Sequence, residues 1–460
     1  MKKNVGVLFP LASLPGKHGI GDFGEISIKF LQFLNKNHFH YWQVLPLNPI
    51  GPGHSPYMST CSFALETRYI SLDELYIDGL LKKPVKPHRE NTSKIGYEDV
   101  AQFKEKYLRI AYKNFQKIDK KEYRKFVRQN DWLVPYALFT IFKRINNDKP
   151  WNTWPNEHQN LRSIPDKYKD DADFEIFKQY IAFKQWNKIR RIAKSLKIKI
   201  IADCPFYVGF DSMDCMLNKE QFLLDEKHNP THVSGCPPDA FSDDGQLWGT
   251  PIYDFKKMDL DKFSFLINRI NAYMKTCDIL RLDHFRAFDT YYVIPTSEST
   301  ARNGEWKIGP RNSFFNELFL QNPNINLIAE DLGDLFPSVI ELKNHYHLPG
   351  MFVVQFLIYQ EQFKPDENTV VYPGTHDNPT LYGWLKSQNI NDKKYLKKRF
   401  GNNKNLFDNI LKYIMDMPSY LTIVPLQDLF MLDDKARINT PGTTNDDNWA
   451  FKIKKSLLFK

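Results

Sequence analysis

Residues 279–288 read ILRLDHFRAF, a short apolar run that ends on Asp283. Two later stretches repeat the pattern: NLIAEDLG at 326–333 carries Glu330, and VVYPGTHDN at 370–378 carries Asp377. A run of β-branched and aliphatic residues without polar alternation reads as a strand buried on both faces. A carboxylate placed where such a strand emerges lies at the carboxyl edge of a parallel sheet, and in a barrel that edge is where catalysis takes place. Three carboxylates converging there have few structural uses. The chemistry they suit is glycosidic bond cleavage.

Working outward, further apolar runs fall at Val5–Leu8, Tyr41–Leu45, Ile198–Ala202, Met351–Phe356 and Leu421–Val424. With Ile279–Leu282, Asn326–Ala329 and Thr369–Tyr372 they make eight, each followed by polar or Gly/Pro-rich chain. Eight buried strands with helical patterns between them predict an α/β protein of the (β/α)8 TIM-barrel type. No GxGxxG follows a strand, so a doubly wound dinucleotide fold lacks support. The spacing is uneven. Residues 46–197 separate the second run from the third and read as an insertion, helical over about 97–197, as in YEDVAQFKEKYLRIAYKNFQKI. Residues 204–257, dense in Gly, Pro, Asp and aromatics, read as a lid-like insertion after the third strand. The whole of 1–460 is expected to form a single catalytic domain with these two insertions.

Bulk properties narrow the function. Apolar content of 42 % supports a sizeable core and excludes a disordered chain. The net charge of +9 is mild for 460 residues and spread out, with no arginine cluster or RNA-binding signature, so no nucleic-acid partner is expected. The five cysteines are widely spaced without a CxxC, which indicates neither a disulfide framework nor a zinc site. The opening MKKNVGVLFPLASLPG is broken by Pro10 and Pro15, and no later run approaches a membrane span. A cytoplasmic protein with no membrane partner is therefore expected. GxSxG, HExxH and P-loop signatures are absent. Asp239, Asp243 and Asp244 loosely suggest a calcium loop, but their spacing fits no EF-hand, and no metal is expected.

A retaining glycosidase needs a carboxylate nucleophile and a protonated carboxylic acid about 5–5.5 Å apart. Asp283 is the nucleophile candidate, because Arg281 two residues earlier points to the same face and can hold it ionised; a structural strand-end ion pair is the alternative. Glu330 suits the acid/base, since a partly buried site would raise its pKa. Asp331 competes with it, but adjacent strand residues face opposite sides, so one of the two is structural. Asp377 with His376 would bind sugar hydroxyls and stabilise charge. Trp248, beside Gly249, and Tyr57 are either sugar-stacking platforms or core anchors. Asp203, placed after the third strand, either contacts sugar or caps its loop.

These segments together resemble the 4-α-glucanotransferases known as amylomaltases or disproportionating enzymes, retaining transferases of the α-amylase clan. The resemblance runs nearly end to end, through GVLFPLASLPGKHGIGDFG, WQVLPLNPIGPGHSPYMSTCSFA, IIADCPFYVGFDSMD, SGCPPDAFSDDGQLWGTPIYDF, ILRLDHFRAF, IAEDLG, GTHDNPT, IVPLQDLFML and ARINTPGTTNDDNW. It implies Asp283 as nucleophile, Glu330 as acid/base and Asp377 as transition-state stabiliser. It further implies Arg281, His376 and Asp203 at the glucose next to the cleaved bond, with Tyr57, Trp248 and Asn439 as further glucan contacts. No metal or organic cofactor is implied, and the partners are an α-1,4-glucan donor and a glucose or maltooligosaccharide acceptor. The chain departs from the family pattern at Phe9, at the Glu66–Thr67 pair, at Cys236, at Pro379 and in a shortened stretch after Trp384. A mainly hydrolytic α-glucanase and a non-catalytic glucan-binding protein are the rival readings.

Overall fold

The computed structural model describes residues 4–117, 120–238, 242–333, 335–360, 363–401 and 405–459. Twelve strands occur among them: β1 Val5–Leu8, β2 Tyr41–Gln43, β3 Lys199–Cys204, β4 His232–Cys236, β5 Gln246–Pro251, β6 Ile279–Leu282, β7 Thr290–Pro295, β8 Glu305–Ile308, β9 Leu327–Ala329, β10 Gly350–Val353, β11 Thr369–Tyr372 and β12 Leu421–Pro425. Eight form one parallel sheet in the order β10-β11-β12-β1-β2-β3-β6-β9, the succession of a (β/α)8 barrel.

Side-chain alternation fills the barrel. Leu8, Tyr41, Ile201, Ile279, Ile328, Met351, Val353, Val370, Tyr372, Leu421 and Ile423 pack as one interior cluster. Their strand neighbours, such as Val7, Trp42, Ile200, Leu280 and Leu327, join the outer core under the helices. Gly6 is required by this filling: a Cβ there would lie 2.5 Å from Tyr41 Cβ and 2.6 Å from Ile423 Cδ1.

The seam between β9 and β10 has no regular ladder. It is closed by the Ala329 N–H donating to the Pro349 carbonyl at 2.8 Å and by the Met351 N–H donating to Asp331 Oδ1 at 2.6 Å. Asp331 Oδ2 also accepts from Lys343 Nζ at 2.6 Å. Asp331 is thus the outward, structural member of the Glu330–Asp331 pair. Charge-assisted bonds of this kind contribute about 1.5–3 kcal/mol each. Asp331→Asn is expected to lower the urea midpoint by an amount equivalent to about 2 kcal/mol; an unchanged midpoint would show that the seam does not depend on it.

Between β2 and β3 run the helices Tyr97–Phe115, Lys121–Arg128, Leu133–Ile145 and Lys169–Ser195. The last leads into β3 and presses Trp186 between Phe23 and Trp42, with ring centroids 5.2 and 6.3 Å away. Two features differ from expectation. Asp203 lies within β3, because a strand-interior carboxylate is satisfied there by a neighbouring cation. β10 ends at Val353, where the chain turns into the short helix Val354–Leu357.

A second sheet, antiparallel in the order β5-β4-β7-β8, was not expected from the sequence. It joins part of 204–257 to the chain that follows Asp283. β5 carries Trp248.

Candidate active site

The register of β3 against β6 pairs Asp203 with Arg281, and the two-residue period of a strand puts Asp283 on the same inward face. Arg281 is 3 % exposed. Its Nη1 lies 2.7 Å from each oxygen of Asp203 and 2.9 Å from Asp283 Oδ1, and its Nη2 is 3.8 Å from Glu330 Oε1. One guanidinium therefore faces three carboxylates. Burial pushes the Asp283 carboxyl above the ordinary range, and Arg281 pulls it back; the same two effects act on Glu330, which the Asp283 charge raises further. The two raised carboxyls, Asp283 and Glu330, thus share one cation. The cation is nearer Asp283 than Glu330, so it favours the ionised form of Asp283 more strongly.

Asp203 is fixed on two sides, since the Tyr57 hydroxyl donates to its Oδ2 at 2.8 Å. Burial, and then the Asp203 charge, hold the Tyr57 phenol well above its usual pKa, so it remains a donor. The Tyr57 ring stacks on His376 at 5.3 Å and 17°. His376 is buried, which lowers its pKa, and its Nε2 lies 3.4 Å from Asp377 Oδ2. Asp377 is the most open of the carboxylates, with its side chain 42 % exposed. Asn439 Nδ2 donates to Asp377 Oδ1 at 2.6 Å, so Asn439 touches the carboxylate.

Trp248 is half-buried, and its ring meets that of His284 edge-on at 4.8 Å and 88°. The structure thus brings Asp203, Arg281, Asp283, Glu330 and Tyr57 into one bonded cluster. His376, Asp377 and Asn439 form a second group joined to it through Tyr57, and Trp248 reaches it through His284.

Sequence reasoning did not single out three contributors. His284 has φ 50° and ψ 48°, a left-handed turn directly after Asp283. Its N–H donates to Glu330 Oε2 in a short hydrogen bond. Burial lowers its ring pKa to about 3, so the imidazole is neutral, and its Nε2 has no hydrogen-bond partner among the described residues. Arg437 donates from Nη2 to the Asp377 carbonyl and from Nε to the Asn439 carbonyl at 2.7 Å. Trp449 packs against Tyr57 and His376, with centroids 5.7 and 5.9 Å away. Each lies in a segment already quoted, but only the fold supplies the contacts.

The departures lie outside the bonded cluster. Phe9 is buried in the outer core, its carbonyl accepting from Trp42 Nε1 at 2.9 Å. Glu66 is buried, accepting from the Ile50 N–H at 2.8 Å and from Arg68. The Pro379 carbonyl accepts from Gln355 Nε2 at 3.0 Å, and Cys236 ends β4. In the acidic loop, Asp244 pairs with Arg302 Nε at 2.7 Å, and Asp239 lies outside the described residues. Among the described residues no group of three or more His, Cys, Asp or Glu could hold a metal ion.

A closed parallel barrel with a carboxylate cluster around a buried arginine at its carboxyl edge defines a (β/α)8 enzyme of the glycoside-hydrolase type. The family model described as 4-alpha-glucanotransferase, glycoside hydrolase 77, matches residues 9–457, and the chain belongs to that family. It is 37 % identical to the 4-alpha-glucanotransferase of Clostridium butyricum, covering 97 % of this chain and 96 % of the relative. Identity to the chloroplastic/amyloplastic 4-alpha-glucanotransferase of Solanum tuberosum is 35 %, covering 100 % of this chain and 83 % of the relative. Among solved structures, the amylomaltase of Streptococcus agalactiae in complex with acarbose superposes with a TM-score of 0.93 at 30 % identity, covering 100 % of this chain and 97 % of the other.

Proposed function

We propose that this enzyme moves α-1,4-glucan segments from a maltooligosaccharide, starch or glycogen donor to the 4-hydroxyl of glucose or another glucan, by double displacement with retention. The observation that carries the reading is the buried Arg281 guanidinium facing Asp203, Asp283 and Glu330 together. Glu330, protonated, gives its proton to the leaving glycosidic oxygen as that bond breaks. Asp283, in its ionised form and paired with Arg281, attacks the anomeric carbon and forms a glycosyl ester. The acceptor hydroxyl then attacks the same carbon, its proton passes to the Glu330 carboxylate, and Asp283 leaves. Asp377, braced by Asn439 and Arg437, faces the positive charge that develops on the sugar. Asp203, Arg281, Tyr57 and His376 hold the glucose next to the cleaved bond, and Trp248 supplies an apolar face for the glucan. The chain acts as one catalytic domain with insertions at 46–197 and 204–257. A cytoplasmic setting is in keeping with the absence of disulfides among the described residues. No described helix is long and apolar enough to cross a membrane.

Incubation with maltotriose tests the reaction class. Glucose and longer oligosaccharides should appear without a matching growth in reducing ends. A steady rise in reducing ends would instead show a hydrolase.

The pH profile follows from the same geometry. Activity rises with pH as Asp283 ionises and falls as Glu330 loses its proton. Both carboxyls are raised, so both limbs of kcat/KM should lie above the ordinary carboxylate value of about 4. An acid limb at about 4 would contradict the buried assignment of Asp283.

A further inference from the structure

Arg269, on the helix Ser264–Met274, is 3 % exposed. All five of its N–H donors are used. Nε donates to Ser62 Oγ at 3.0 Å. Nη1 donates to the Phe206 carbonyl and to the Tyr253 hydroxyl, each at 3.0 Å, and Nη2 to the carbonyls of Pro205 at 2.9 Å and Tyr207 at 3.5 Å. Every acceptor is neutral. Among the described residues no carboxylate bonds this guanidinium; the nearby Asp214 accepts instead from the Ser62 N–H at 2.7 Å. The buried Asp214 carboxylate offsets part of the cost of burying this cation through its charge, while the neutral acceptors fix where the guanidinium sits.

The acceptors belong to three separate pieces of the site. Ser62 closes the loop that carries Tyr57, and its carbonyl is further held by Asn48 Nδ2 at 2.9 Å. Pro205, Phe206 and Tyr207 are the chain directly after Asp203. Tyr253 stands just beyond the end of β5, which carries Trp248, and its hydroxyl donates to the same Phe206 carbonyl at 2.8 Å. The first two pieces meet where the Tyr57 hydroxyl donates to Asp203.

We propose that Arg269 is a positioning residue that sets the Tyr57–Asp203 contact and the foot of the Trp248 strand, so that the sugar-holding half of the site is assembled before substrate arrives. The proposal rests on the reading that Tyr57 and Asp203 hold the glucose next to the cleaved bond. Lysine keeps the charge but has three donors at one point and cannot span five acceptors.

A double-mutant cycle with Arg269→Lys and Tyr57→Phe, read as kcat/KM on maltotriose, tests it. Arg269→Lys should lower kcat/KM by about 100-fold, the effect of an ångström-scale misplacement, with the limbs of the pH profile unmoved. Tyr57→Phe alone should lower it by about tenfold. In the Tyr57→Phe background Arg269→Lys should cost markedly less, because the contact it sets is already gone. Ser62→Ala, which removes one acceptor and leaves the helix intact, should show the same non-additivity on a smaller scale and carries the test if Arg269→Lys does not fold. Independent, multiplicative effects would overturn the positioning role and leave the site reading standing. Parental activity in Tyr57→Phe would overturn the site reading, and the proposal with it.

Discussion

Asp283→Asn is expected to lower turnover of maltotriose on the order of 10^4-fold or more while leaving glucan binding in place. The substitution is isosteric, and the carboxamide oxygen can still accept from Arg281 Nη1, now 2.9 Å from Asp283 Oδ1. What disappears is the charge that attacks the anomeric carbon. Asp203 keeps both of its 2.7 Å contacts to Arg281, so the guanidinium and the sugar-holding residues stay in position. The measurement is single-turnover kinetics beside glucan affinity for the variant and the parent. Unchanged activity would remove Asp283 from the mechanism. Lost binding together with lost stability would make it a structural ion pair, the alternative that the sequence leaves open.

Glu330→Gln is expected to lower kcat on maltooligosaccharides by about 10^3-fold, the range for removing a general acid. The amide can still accept from the His284 N–H, so the left-handed turn after Asp283 is preserved. The defect should depend on the leaving group. A maltosyl fluoride donor, whose fluoride departs without protonation, should form the glycosyl-enzyme at close to the parental rate. Transfer onward should remain slow, because the acceptor hydroxyl then has no base. The alkaline limb of the first step should also vanish. An equal loss with both donors would mean that Glu330 acts by holding the site together and not by moving a proton.

The barrel strands were legible because most are apolar runs with the loop chemistry beginning where they end. The antiparallel sheet was not. β4 (HVSGC) and β5 (QLWGTP) show neither a continuous apolar run nor a clean alternation, the alternation of β8 (EWKI) is only four residues long, and β4 pairs with β7 across a long separation, His232 opposite Pro295. The placing of Asp203 turned on the same limit. A carboxylate reads as the end of a strand unless its cation on the next strand is known, and the register of β3 against β6 is a property of the fold.

Within the site, the pairing of Arg281 with Asp283 follows from two-residue spacing alone. The choice between Glu330 and Asp331 followed from the same period, once Asp331 was seen bonding the Met351 N–H across the seam. His284, Arg437 and Arg269 lay beyond reach for a common reason. Each acts through backbone groups of chain distant in sequence, or through a left-handed turn that a histidine does not announce, and no residue type or spacing marks such a role.

The central claim is that the donor glycosyl group passes through an ester on Asp283. Mass spectrometry of Glu330→Gln after brief exposure to maltosyl fluoride tests it most directly, with the modified carboxylate located by peptide mapping. The account predicts one added maltosyl group per chain, on the peptide containing Asp283, discharged when a glucan acceptor and a small external nucleophilic anion are supplied. An unmodified protein that nonetheless turns the donor over, or a label on Asp203, Asp377 or any other carboxylate, would contradict it.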